Sequence, residues 1–335
     1  MPTLFLITLI AVLALIFDFL NGANDRANSI ATVTATKALS PTKALILASV
    51  FNMAGAFVST KVAKTIGKGI ISSENLTLSI LIFGILGAIV WIFICTKSGI
   101  PISVSHSLVG GIMGAGIMAL GTTGINWQIV NNKVFLAIIL GPTAGFMAGS
   151  LLFVLLSWTL FLFFKKSQTQ KIEKTFKKLQ IISASFVSFT HGMNDTQNAM
   201  GIITAALLSG GLINSFVVPL WVKIACGLAM GIGTFLMGWK VMKTLGWKLA
   251  KLEPKHGFVA ETGAGIIVGL HSIVGMPVST THVIGSSVLG GTFLQNRRRI
   301  KYPVAGKMII AWLITIPCAG AVSALSYLLL NPFIV

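Results

Sequence analysis

Two short stretches concentrate the side-chain oxygens of this chain: Asn24, Asp25 and Asn28 within "GANDRANS", and Asn194, Asp195 and Asn198 within "GMNDTQNA". On a helix, i+3 and i+4 spacings put each trio on one face, and a carboxylate beside amide oxygens makes a cage for a small hard cation such as sodium. Gly22 stands just ahead of the first trio and is expected to let the helix unwind and free backbone carbonyls as further ligands. A second pair of motifs, "PISVSH" and "PVSTTH", supplies the opposite chemistry. Proline suits a first helical turn, and Ser103, Ser105 and Ser107, or Ser279, Thr280 and Thr281, follow beside unpaired backbone N–H groups. That is a cradle for an oxyanion, which Asn28 and Asn198 would share with the cation. His106 and His282 sit one turn in. They are expected to lock these hairpins by hydrogen bonds rather than bind a metal, because no Cys or carboxylate stands at metal-ligand spacing.

Both motifs occur twice, in the same order. Phe19, Gly22, Asn24, Asp25, Asn28, Thr34 and Ala35 recur as Phe189, Gly192, Asn194, Asp195, Asn198, Thr204 and Ala205 at an offset of 170, while Pro101, Ser103 and His106 recur as Pro277, Ser279 and His282 at 176. The chain is a duplication. Apolar segments are expected at 3–36 (interrupted), 42–62, 77–97, 101–120 and 133–164, then at 181–208, 217–240, 258–274, 277–292 and 305–331. Five per half is an odd number, so the second copy must cross in the opposite sense: an inverted-topology repeat. The fold class expected is an all-α polytopic membrane protein with interrupted helices and one re-entrant helical hairpin per repeat. Its divisions are a first repeat at 1–164, a basic cytoplasmic linker at 165–180 and a second repeat at 181–335.

Composition agrees. With 55% hydrophobic and 10% charged residues and a mean hydropathy of +0.91, the chain has too few polar residues to cover a water-soluble domain. The first segment lacks a basic leader and a small-residue cleavage site, so it is expected to stay as a span. Cys95, Cys226 and Cys318 lie in apolar runs and are read as packing residues. The net charge of +18 does not point to nucleic acid, because the lysines are not interleaved with aromatics; they cluster in short loops. Lys165, Lys166, Lys171, Lys174, Lys177 and Lys178 form one cluster, Lys240 to Lys255 a second, and Arg297, Arg298, Arg299 and Lys301 a third. Such loops face the cytoplasm, which puts both termini outside. Loop 37–43 then falls inside with two lysines, and its counterpart 209–216 falls outside with none. Lys61, Lys64 and Lys68 resist this scheme, and a short interfacial helix would account for them.

The paired "GANDRANS" and "GMNDTQNA" signatures, joined to "PISVSH" and "PVSTTH", resemble the inorganic phosphate transporter (PiT) family over nearly the whole chain. The resemblance implies a secondary active transporter of the cell membrane that imports inorganic phosphate, not an enzyme. It implies no cofactor beyond coupling ions, which are sodium in most members and protons in some, and sulfate is carried by relatives. The expected partners are phosphate, sodium and the bilayer, with a homodimer left open. Sodium fits the residues better than a proton, since Asn24, Asn28, Asn194 and Asn198 serve best as neutral oxygen ligands. A proton-coupled phosphate or sulfate permease is the alternative, and an anion channel stands further off. The central linker is short where animal members carry a long loop, so functions tied to that loop do not transfer.

Three further residues do not follow the duplication. Arg26 is lost as Thr196 in the second copy, so it is not expected to be an essential clamp. His191 replaces Asn21 and is expected in a loop-facing polar role rather than as a proton relay. Glu261 lies in a span without an evident counterpart and is expected to pair with a lysine at the cytoplasmic end rather than line the pathway.

Overall fold

The computed structural model describes residues 2–72, 74–163, 169–236 and 238–333. It contains helices α1 (Thr3–Ala35), α2 (Pro41–Gly55), α3 (Lys61–Lys68), α4 (Leu78–Ser98), α5 (Val104–Leu120) and α6 (Trp127–Phe163). Six more follow: α7 (Thr169–Ser209), α8 (Leu220–Leu236), α9 (Trp239–Lys248), α10 (Pro254–Val274), α11 (Thr280–Asn296) and α12 (Tyr302–Leu330). No strand occurs among the described residues.

Local signals set the boundaries. Pro41 and Pro254 open α2 and α10, where the missing N–H costs nothing. Ser103 and Ser279 cap α5 and α11, each accepting from the backbone N–H three residues on, of His106 at 3.1 Å and His282 at 3.3 Å. Gly99 and Gly275, at φ 74° and 73°, end α4 and α10 in the left-handed conformation that glycine adopts without strain. The motif "PISVSH" therefore runs from a helix–helix turn into the first turn of α5, and "PVSTTH" does the same before α11.

Five helices, α1, α4, α6, α10 and α12, are long and apolar enough to cross a bilayer on their own, and α5 is a shorter apolar helix. Outward-facing Ile139, Met147, Leu151 and Phe161 on α6 and Ile310, Leu313 and Leu329 on α12 are exposed, which suits hydrocarbon rather than water. The helices are stitched crosswise: α1 packs on α8 and α7 on α2, α5 on α12 and α11 on α6, α1 on α9 and α7 on α3. Exchanging the first six helices for the last six turns each of these pairs into another. Apolar side chains form two clusters, and α1 passes through both, giving Ile7 to Leu20 to one and Ala27 to Val33 to the other. Between them lies a polar layer.

The structure departs from the sequence reading at several points. Helix α1 runs through Gly22 without a break, so no backbone carbonyl is released there. The glycine serves close approach instead: a Cβ at Gly22 would lie 2.2 Å from the carbonyl oxygen of Met230 on α8, and one at Gly192 would lie 2.0 Å from that of Asn52 on α2. Lys165 and Lys166 lie outside the described residues, and positions 169–180 of the expected linker are the first turns of α7. The segment expected at 42–62 ends at Gly55, and Lys61–Lys68 forms the separate short helix that the three lysines suggested, with Val62, Ala63, Ile66 and Gly67 buried on its other side.

Candidate polar site between the crossed helices

Asp25 on α1 and Asp195 on α7 are buried at 2% and 1% exposure, in a layer where the two helices meet the first turns of α5 and α11. The polar contacts cross between halves. Thr281 of α11 donates to Asp25 Oδ1 at 2.9 Å and accepts from Asn28 Nδ2 at 2.9 Å. Its counterpart Ser105 of α5 lies 3.5 Å from Asp195 Oδ1 and accepts from Asn198 Nδ2 at 2.8 Å. Thr280 donates to the other oxygen of Asp195 at 2.9 Å. Each N-D-x-x-N motif is thus closed by a hydroxyl from the other half of the chain.

The first asparagines are held within their own half. Asn24 donates to Thr96 at 2.7 Å, and Asn194 accepts from Ser272 at 3.2 Å while donating to the Val278 carbonyl at 2.7 Å and to Asp195 at 2.5 Å. Thr96 and Ser272 escaped the sequence reading, although both stand three residues before the matched glycines Gly99 and Gly275. Three buried amide oxygens, Oδ1 of Asn24, Asn28 and Asn198, have no hydrogen-bond donor among the described residues. A buried oxygen without a donor costs free energy unless something electropositive meets it. These oxygens beside two carboxylates are a donor set suited to small cations.

The remaining hydroxyls have local duties. Ser103 and Ser279 cap their helices, and Ser107 donates to the Ser103 carbonyl at 2.9 Å. The two histidines join the hairpins in a different way from that expected. Their rings meet edge to face with centroids 5.0 Å apart, His282 stacks on Trp312 at 4.2 Å, and neither nitrogen of the His106 ring has a hydrogen-bond partner among the described residues. Ring contact joins the two tips.

His191 is corrected outright. It is fully buried, with Nε2 at 2.8 Å from Asp195 Oδ2 and 3.8 Å from Asp25 Oδ2, and Nδ1 at 3.0 Å from Asn52 Oδ1. One atom from each of Asp25, His191 and Asp195 falls within 4.8 Å of the others, close enough to share an ion. Spacing along the sequence missed this set because Asp25 arrives from a distant helix. Asp18 was also missed; it is buried on α1, one turn before Asn21, whose Nδ2 donates to it at 3.3 Å. Glu261 meets no lysine. It is buried between α1, α7 and α10 and accepts from Thr32, Ser183 and Gln180. Arg26, also buried, stacks over Trp239 with its guanidinium 4.7 Å from the ring centre.

Membrane-length helices around a buried layer of carboxylates, amides and hydroxyls define a multi-pass membrane transporter. The family model described as the phosphate transporter family matches residues 21–323, and the chain belongs to that family. A Bacillus subtilis protein named "Probable low-affinity inorganic phosphate transporter" is 43% identical over 332 residues, covering 98% of both chains. A Rhizobium meliloti protein of the same name is 42% identical over 324 residues, covering 96% of this chain and 95% of its own. A solved structure described as "The sodium-dependent phosphate transporter" superposes with a TM-score of 0.89 at 27% identity, over 98% of this chain and 99% of the other. These relatives are transporters and not enzymes.

Proposed function

We propose that this chain imports inorganic phosphate by symport with sodium, and that its two halves form inverted repeats, 1–164 and 181–335, about a basic cytoplasmic segment, with both termini outside. The observation that carries the coupling is the reciprocal closure of Asp25 by Thr281 and of Asp195 by Ser105 and Thr280. A hydroxyl has one proton to donate. While it serves a carboxylate it cannot serve a phosphate oxygen, and two buried carboxylates repel an incoming oxyanion. Sodium ions at Asp25, Asp195 and the donorless oxygens of Asn24, Asn28 and Asn198 would neutralise the carboxylates and take over their lone pairs. Thr281, Thr280 and Ser105 would then be released to donate to phosphate, together with the O–H groups of Ser103 and Ser279 at the helix starts. Anion binding becomes conditional on cation binding, which is the requirement for symport. The sodium dependence of the structural neighbour supports the same reading.

His191 favours the alternative, because a buried imidazole between two carboxylates is equipped to hold a proton. The test is uptake of labelled phosphate into proteoliposomes under separate sodium and proton gradients. Uptake is expected to follow the sodium gradient and to fall at least about 100-fold in Asp25→Asn and in Asp195→Asn, with both variants extracted as folded protein. Uptake driven by a proton gradient without sodium would replace sodium by the proton in this scheme.

A further inference from the structure

A cavity of about 510 Å³ opens at the end of the molecule where α1 stops and α7 and α10 begin. Thr36, Lys37, Phe176, Lys177, Glu253 and Lys255 are among the residues around it. Its wall continues inward as two sets of hydrogen-bonded polar side chains set one helical turn apart on α1. Thr36 donates to Gln180 at 2.6 Å, Gln180 donates to Glu261 at 3.1 Å, and Glu261 accepts from Thr32, one helical turn from Asn28. Asn28 in turn bonds Thr281. A polar ladder therefore joins the cavity to the buried layer through an otherwise apolar cluster.

The charges around the cavity are not equivalent. Lys177 pairs with Glu173 at 2.9 Å, and Lys255 with Glu253 at 3.2 Å. Glu253 also receives Arg299 at 2.5 Å; burial raises its carboxyl, but the hydrogen bonds from Arg299 and Lys255 outweigh this and bring it down to about 2, so it stays ionised. Among the described residues Lys37 has no carboxylate within ion-pairing distance. It is exposed and sits at φ 57°, a backbone conformation uncommon for a residue with a side chain.

The reason for that conformation is visible at both helix ends. After α1, the N–H of Lys37 bonds the Thr34 carbonyl and that of Ala38 bonds the Val33 carbonyl; after α7, the N–H of Gly211 bonds the Leu208 carbonyl and that of Leu212 bonds the Leu207 carbonyl. The two turns are the same Schellman motif. The turn after α7, which comes one helical turn later in the repeat, has glycine at φ 73°, which carries no strain, and the turn after α1 has lysine. Local backbone energetics favour glycine at both, so something other than the turn selects the lysine. The turn aims it into the wall of the cavity.

We propose that this cavity is the vestibule through which phosphate passes between the buried layer and the basic-loop side, and that Lys37 is its anion-attracting residue, held there at the expense of backbone strain. The inference rests on the phosphate-transport reading but not on which cation drives transport. Lys37→Gly copies the unstrained turn at Gly211 and removes the charge; Lys37→Gln removes the charge alone; Lys37→Arg restores it.

Phosphate exchange is measured in right-side-out and inside-out vesicles, with equal sodium and equal pH on both faces, beside the melting midpoint of each variant. Lys37→Gly is expected to melt about 2 °C higher than the parent. On the vestibule face, KM for phosphate should rise about three- to tenfold in Lys37→Gly and Lys37→Gln, and return to within about twofold in Lys37→Arg. The difference should shrink as ionic strength rises, and KM on the opposite face should stay within about twofold of the parent. A KM that is unchanged or shifted equally on both faces overturns the proposal, as does a lowered midpoint in Lys37→Gly. Because exchange runs without any gradient, a failure of the sodium reading would appear in the uptake experiment and leave this comparison intact.

Discussion

Thr281 and Ser105 each stand between a carboxylate and an asparagine amide from the opposite half of the chain. In the sodium-loaded state proposed above each hydroxyl donates to phosphate, and a buried phosphate oxygen that loses its donor costs about 1–3 kcal/mol. Thr281→Ala and Ser105→Ala should therefore each weaken phosphate binding roughly ten- to hundredfold, measured as the KM for labelled uptake. Arsenate, which keeps an O–H donor at neutral pH as phosphate does, should be weakened in step as a competitor. Sulfate, which has no O–H, should compete poorly with both variants and parent. The acids and amides were legible in the sequence because duplication kept them together, and the hydroxyls were legible because each follows a proline at the same spacing. Their pairing was not, since Thr281 reaches Asp25 across more than half the chain. His191 was misplaced for a related reason: nothing local in "FTHGMND" reveals that Asp25 will face it.

Helices α1 and α7 carry the site as continuous helices where an interruption was expected. A glycine ahead of a polar cluster can supply conformational freedom or it can supply room, and the sequence alone does not distinguish the two. The answer lies in a neighbour, because the backbones of α8 and α2 lie where a side chain would be. Gly22→Ala and Gly192→Ala each force a methyl against a carbonyl oxygen that cannot rotate away. Each should cost about 1–3 kcal/mol or more through displaced helix packing, seen as a lower melting midpoint in detergent, with uptake lost in proportion to the folded fraction. A substitution of equal size at Gly306, where nothing lies within 4 Å, should leave both measurements near the parent values. If Gly22→Ala were stable but inactive, freedom rather than room would be the function of that glycine.

At the scale of the whole molecule, the crosswise packing makes neither half complete by itself: α6 finds its main partner in α11, and α12 finds its own in α5. The duplication was legible from two repeated motifs, whereas this exchange of last helices between halves was not, because apolar periodicity shows which faces are buried and not against what. The packing also sharpens the topological proposal. If the halves cross the membrane in opposite senses, the loops that follow α1 and α7 must emerge on opposite sides, although their turns have the same backbone motif. Ser40 and Ser209 report on those two loops. Both are exposed; the Ser40 side chain makes no capping hydrogen bond, and the Ser209 hydroxyl donates to the Leu76 carbonyl at 2.9 Å, a bond that a cysteine gives up, so a thiol at either position is open to reagent. In a background where Cys95, Cys226 and Cys318 are replaced, an impermeant thiol reagent added to intact cells should label the cysteine at 209 and reach the one at 40 only after permeabilisation. The basic segments beside Ser40 agree with that assignment, since Lys37 and Lys43 flank it while 209–216 carries no lysine or arginine. Labelling of both from outside would mean that the two copies run parallel, and the reciprocal closure of the acids would then need a different symmetry to explain it.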